Sequence, residues 1–193
     1  MHVHEWNRRY RSGESREEDW DAPPNPLLVD TASKMRPGSA LDLACGSGRN
    51  SIWLAQHAWK VTAVDASPAA IEMLRRRAGE LGVAIDARVA DLEGNGFEFG
   101  ESRWNLIAIC FYLQTSLFEP AKRGVRPGGI VLAIVHIAEP GEEITKHQLR
   151  AGGLKQYFGD YEILHYYEGR PNDIAHKRAV AEIVAKRPLA HTV

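Results

Sequence analysis

Ser39-Ala40-Leu41-Asp42-Leu43-Ala44-Cys45-Gly46-Ser47-Gly48-Arg49-Asn50 reads as a buried strand, a tight glycine turn and the start of a helix. Ala40, Leu41, Leu43 and Ala44 form an apolar run interrupted by one acid, Asp42. Ile52 and Ala55 continue after the turn with helical spacing. A strand that enters a helix through such a turn aims backbone N–H groups at a ligand. Glycines lack a Cβ, so Gly46 and Gly48 are expected to let that ligand lie directly on the main chain.

Working outward, Val61-Thr62-Ala63-Val64 is a second apolar run and ends in Asp65. An acid there can accept from both hydroxyls of an adenosine ribose, in dinucleotide folds and elsewhere. The third glycine of the dinucleotide pattern would fall at position 51, which is Ser51. Asp42 is more telling. A carboxylate inside a strand is costly to bury unless paired or hydrogen-bonded, and it suits a cationic or amine-bearing ligand over the strand end. Ile85–Val89 is a third strand-like run, after which Asp91 is placed to accept from an exocyclic amine of adenine. Arg126-Pro127-Gly128-Gly129 reads as a turn entering a fully buried strand, Ile130–Val135.

With these residues in order, the chain resembles the class I S-adenosylmethionine-dependent methyltransferases from about Pro37 to His136. Leu41-Asp42-Leu43-Ala44-Cys45-Gly46-Ser47-Gly48 is similar to their first motif and Val64-Asp65 to the second. Ala90-Asp91-Leu92 is similar to the third, and Arg126-Pro127-Gly128-Gly129 to the turn before strand five. The resemblance implies an α/β, Rossmann-like, doubly wound sheet of seven mostly parallel strands, with an antiparallel last strand inserted beside strand five. It implies S-adenosyl-L-methionine as cofactor, held by Asp42, Ala44, Gly46, Gly48, Arg49, Asn50, Asp65, Ala66, Ala90, Asp91, Leu92, Cys110 and Phe111. No metal is expected.

Arg49-Asn50 and the N-terminal Trp6-Asn7-Arg8-Arg9-Tyr10 also resemble a subgroup that includes tellurite-resistance and small thiol or chalcogen methyltransferases. In that subgroup the N-terminal segment folds over the cofactor. Here this implies one domain, 1–193, whose residues 1–36 cover the site through Trp6 and Tyr10; packing on the flank of the sheet is an equal reading of those two rings. Cys110-Phe111-Tyr112-Leu113-Gln114 departs from the Asn/Asp-Pro-Pro-Tyr/Phe pattern of amino-methylating relatives. That favours a small acceptor entering over Phe111 and Tyr112. Candidate catalytic groups are His136, His176, Arg178 and Tyr112: a histidine to deprotonate a thiol, or with Arg178 to attract an oxyanion. Each histidine, including His147 and His165, is individually more often structural.

Between these motifs the sequence predicts a short helix and an irregular stretch over 1–25, the latter containing Trp20, and helices at 26–35, 49–57, 67–82 and 116–123. Strands are expected at 39–44, 60–65, 84–89, 104–110, 130–136, 161–167 and 179–185. Ser67-Pro68 marks the start of the third of these helices.

Composition bounds the rest. The chain has 193 residues, 44% of them apolar, and a net charge of −1. That supports a real core and argues against dominant phosphate-backbone contacts, so no nucleic-acid partner is expected. Arg75-Arg76-Arg77 reads as a solvated helix face. No apolar run approaches a membrane span and the first residues lack a secretory pattern, so a cytoplasmic monomer or homodimer is expected. Two cysteines without a metal-ligand spacing read as small buried residues. No catalytic triad or paired carboxylate is evident, which suits methyl transfer, where positioning dominates. Two other readings stay open: a nicotinamide-dependent oxidoreductase, supported by Gly46, Gly48 and Asp65, and a non-catalytic cofactor-binding module.

Overall fold

A computed structural model of the chain describes residues 3–12, 22–94, 96–139 and 141–189. The fold is a seven-stranded, mixed, mostly parallel α/β sheet with helices. The chain divides into two compact units, Met1–Glu98 and Phe99–Val193.

In the first unit the elements run α1 (Val3–Ser12), α2 (Pro26–Ser33), β1 (Ser39–Leu43), α3 (Arg49–Gln56), β2 (Lys60–Asp65), α4 (Pro68–Glu80) and β3 (Ile85–Val89). The strand order is β3-β2-β1, all parallel, with Asp42 opposite Ala63 and Asp65 opposite Val89. Strands joined through helices make parallel pairs, which is why β1 and β2 are buried almost throughout and read as continuous apolar runs. Helix starts follow local chemistry. Ser67 accepts from the Ala70 N–H, with Pro68 next in the first turn. Asn25 caps α2 by accepting from the N–H groups of Leu27 and Leu28. The predicted bounds of α2 to α4 and β1 to β3 are met to within two residues. Trp20 lies outside the described residues.

In the second unit follow β4 (Trp104–Cys110), a single 3₁₀ turn (Thr115–Leu117), α5 (Phe118–Gly124), β5 (Val125–His136), α6 (Gly153–Gln156), β6 (Glu162–Gly169) and β7 (Val180–Lys186). The order is β4-β5-β7-β6. β4 and β5 are parallel, and β7 is antiparallel to both its neighbours, so the last strand is inserted beside β5 as expected.

Here the structure corrects one boundary. Arg126-Pro127-Gly128-Gly129 does not precede the fifth strand; it is an excursion within it. Val125 already pairs with Trp104, and the ladder resumes at Leu106 with Ile130. Gly128 has φ +76, and a Cβ on Gly129 would stand 2.9 Å from the Asn105 carbonyl. Both positions therefore need glycine. The excursion is tied to the end of β7, where the Gly128 N–H donates to Arg187 O and the Arg187 N–H to Gly129 O.

Candidate cofactor turn and histidine cluster

The turn after β1 is held in left-handed backbone: Ala44 has φ 52°, Gly46 55° and Gly48 87°. Both glycines are needed, but not for the reason the sequence suggests. A Cβ on Gly48 would collide with Leu74 of α4. A Cβ on Gly46 would stand 2.6 Å from the Tyr10 hydroxyl. The bare faces of these residues are thus taken by the protein's own side chains and not left open to a ligand. Gly48 is also the N-terminal boundary of α3, and no side chain caps that helix. Ser47, buried in the turn, is pinned through its carbonyl by Arg77 at 3.2 Å.

Two acids underlie the turn. Asp42 is 1% exposed and accepts from the Ser51 hydroxyl at 2.5 Å. Burial pushes its carboxyl up to about 6; the Ser51 hydrogen bond and the Arg49 charge oppose that rise, and Asp65 adds to it. Asp65, at the end of β2, accepts from the Gly46 N–H at 2.9 Å on one oxygen and from the Ser67 N–H at 2.8 Å on the other. It is raised as well, by burial, against these backbone bonds. The Ala66 N–H adds a third backbone bond, which leaves the carboxylate about one acceptor site to offer. Cys45 lies between the acids electrostatically: burial, then Asp42 and Asp65, push its thiol well above the ordinary range, so it stays protonated and unreactive. Neither cysteine is in a disulfide.

The remaining first-unit candidates divide. The Ala90 N–H donates to Asp65 O beside half-buried Ala66, and Leu92 is buried. Asp91 is exposed and closes a turn on itself by accepting from the Glu93 N–H at 2.9 Å. Arg49 donates to Pro23 O at 3.1 Å, and Asn50 accepts from the Asn25 N–H at 2.9 Å. Both bonds fasten α3 to the chain entering α2. Tyr10 reaches the turn at Gly46, whereas Trp6 is 43% exposed and stands 6.4 Å from Tyr10 and under Arg9. Asn7, between them, accepts from the Ser67 hydroxyl and the Ala69 N–H, both at 3.1 Å, and so docks α1 on the start of α4. The arginine triplet is partly structural: Arg75 donates to Ala87 O, Arg77 holds Ser47, and only Arg76, beside Glu80, is a solvated pair.

In the second unit, three candidate rings converge: Phe111, His136 and His176. Phe111 follows Cys110 at the end of β4 with φ 59°, a conformation that costs a bulky residue. Its N–H donates to Ile134 O at 2.7 Å, and its ring stacks on His176 at 3.3 Å between centroids. His136, the last residue of β5, lies 5.9 Å from Phe111 and 6.1 Å from His176. Among the described residues its buried Nδ1 has no hydrogen-bond partner. Burial chiefly, and the Arg178 charge, lower its pKa below 6.5 against a backbone hydrogen bond at Ala179, so it is neutral near pH 7. Arg178 itself is exposed, and Tyr112 is half-buried. No group of metal-ligating side chains and no helix long and apolar enough to cross a membrane occurs among the described residues.

Sequence reasoning passes over Ser51, Asn7 and Asn25. Only Ser51 leaves a trace, as the residue standing where a dinucleotide fold has glycine.

Residues 40–129 match a family described as a methyltransferase domain. The chain is 30% identical over 112 residues to a ribosomal RNA small subunit methyltransferase C from Alcanivorax borkumensis, covering 52% of this chain and 33% of that one. It is 24% identical over 148 residues to the probable S-adenosyl-L-methionine-dependent methyltransferase TehB from Haemophilus influenzae, covering 73% of this chain and 52% of the relative. The crystal structure of TehB superposes with a TM-score of 0.72, over 83% of this chain and 61% of that one. A structure described as converting a disulfide bond into a thioacetal group during echinomycin biosynthesis has a TM-score of 0.72 at 19% identity, over 98% and 94% of the two chains. The chain spans about half the length, or less, of the curated relatives it matches.

Proposed function

We propose that the chain is a class I S-adenosylmethionine-dependent methyltransferase that transfers methyl from S-adenosylmethionine to a small acceptor, a thiol or a chalcogen oxyanion; the methyltransferase-domain match over residues 40–129 and the likeness to TehB support this reading. The residues fit that cofactor. A buried acid and a second acid at the end of β2 suit a ligand with a cationic end and a ribose; a dinucleotide's anionic pyrophosphate gains nothing from them. Asp42 would face the cationic end and Asp65 the ribose hydroxyls. Tyr10 would close over the turn. When bound, the cofactor supplies a sulfonium-activated methyl, which an acceptor lone pair takes in line while the breaking bond's electrons pass to sulfur, releasing S-adenosylhomocysteine.

The observation that carries the acceptor reading is the Nδ1 of His136, buried and without a partner. A neutral imidazole with an unused nitrogen can take the proton of a thiol. Arg178 supplies a positive charge near it, suited to a thiolate or an oxyanion. Phe111 and His176 present flat apolar surface that favours a soft, polarizable nucleophile.

The test is product formation from labelled S-adenosylmethionine with small thiols, selenite and tellurite, beside bulk RNA and protein. Methylated small molecules are expected. Label entering only RNA or protein would overturn the acceptor and leave the family intact.

A further inference from the structure

We propose that Ser51 is a positioning residue: its hydroxyl keeps Asp42 ionised under the glycine turn, so that the turn holds its cationic cofactor down to mildly acidic pH. The inference rests on the reading above, that the turn holds S-adenosylmethionine.

Ser51 is fully buried on α3, and its Oγ donates to Asp42 Oδ2 at 2.5 Å. A short O–H···O⁻ bond of this kind is charge-assisted and favours the ionised carboxylate. Asp42 needs that help, because it sits inside a parallel strand with apolar neighbours on either side, Leu41 and Leu43, both without exposed surface. The other charged or titratable groups acting on Asp42 are Arg49 from α3, which favours its ionised form, and Asp65 from β2, which opposes it. The Cys45 thiol, which follows β1, is itself held protonated by both acids. Three influences favour the ionised form, the Ser51 hydroxyl, the Arg49 charge and the Ser51 backbone N–H, and Arg49 is also committed to Pro23 O. Among the described residues Ser51 is thus the neutral donor in direct contact, through its hydroxyl and its backbone N–H, and it occupies the position where a dinucleotide-binding turn would carry glycine. Glycine there would keep the backbone N–H that also donates to Asp42 but would lose the hydroxyl donor, so the acid would hold its proton to higher pH.

The experiment measures S-adenosylhomocysteine affinity by calorimetry from pH 5.5 to 8.5 for the wild type, Ser51→Ala and Ser51→Gly. The wild type should bind with constant affinity above about pH 7 and weaken as pH falls through about 6. Losing one charge-assisted hydrogen bond should move that break up by about one pH unit. Both variants should then bind about fivefold more weakly than wild type near pH 6 and within about twofold of it at pH 8.5. Asp65 also titrates upward of its ordinary value, but neither variant touches it, so the difference between profiles isolates Asp42. A loss of affinity equal at every pH, or no change, would overturn the proposal. Carboxyl ¹³C spectra of the wild type guard against a variant that does not fold: the Asp42 resonance should titrate near 6 in the free chain and lower with S-adenosylhomocysteine bound. A midpoint below about 4 in the free chain would also overturn it. A wild type that binds no S-adenosylhomocysteine at any pH would remove the underlying reading along with the inference.

Discussion

Asp65, the proposed ribose acceptor, also holds the fold. Its oxygens accept from Gly46 and Ser67, so Asp65→Ala leaves two backbone N–H groups without their partners. Each such group, where buried, costs roughly 1–3 kcal/mol. The sequence suggests that this substitution would weaken cofactor binding with little effect on the fold; the structure predicts that both suffer. A melting temperature unchanged in Asp65→Ala would contradict the geometry. Asp42 works in the opposite sense. Its carboxyl is raised in the fold, so the stability linked to it is full below about 4 and is lost as pH rises through about 6. Asp42→Asn should therefore raise the melting temperature of the cofactor-free chain at pH 7.5 by several degrees, while weakening S-adenosylhomocysteine binding. A variant less stable than wild type at that pH would count against the buried charge. His136 adds a kinetic prediction: if it is the base proposed above, its lowered pKa should leave the rate flat above about pH 6.5 and let it fall at more acid pH. His136→Gln should lose that limb along with at least about tenfold in rate.

At the level of elements, the glycines of the turn are packing devices. Gly48 lets α3 begin against Leu74 of α4. Gly48→Ala combines that collision with a left-handed backbone and should cost well over 1 kcal/mol. Leu74→Ala added to it should recover the steric part, so that the double variant is more stable than the sum of the single changes predicts. Strict additivity in chemical denaturation would show that the two residues do not touch. Most of these elements are legible in the sequence, because β1 and β2 are uninterrupted apolar runs and Ser67-Pro68 is a local helix signal. What is not legible is set by partners distant along the chain. Asp42 announces that it needs a partner, but Ser51 is named only once α3 folds back beside β1. Pro127 and the two glycines read as a turn, correctly; that the ladder begins before them depends on Val125 meeting Trp104. Gly46 invites a ligand until Tyr10 is seen over it.

At the scale of the molecule, the methyltransferase-domain match over residues 40–129, the mixed seven-stranded sheet and the acids of the turn all favour the proposed cofactor. The histidine cluster of the second unit bears on the acceptor and is tested separately by its products. The most direct measurement of the central claim is thermal unfolding of the chain with S-adenosylhomocysteine, in parallel with NAD and NADP. At a hundredfold over its dissociation constant, a ligand of the folded state stabilises it by about 2.7 kcal/mol. For a chain of 193 residues that corresponds to a rise of roughly 5–10 °C. We predict that rise with S-adenosylhomocysteine and none with either dinucleotide; a rise with NAD or NADP and none with S-adenosylhomocysteine would contradict the account.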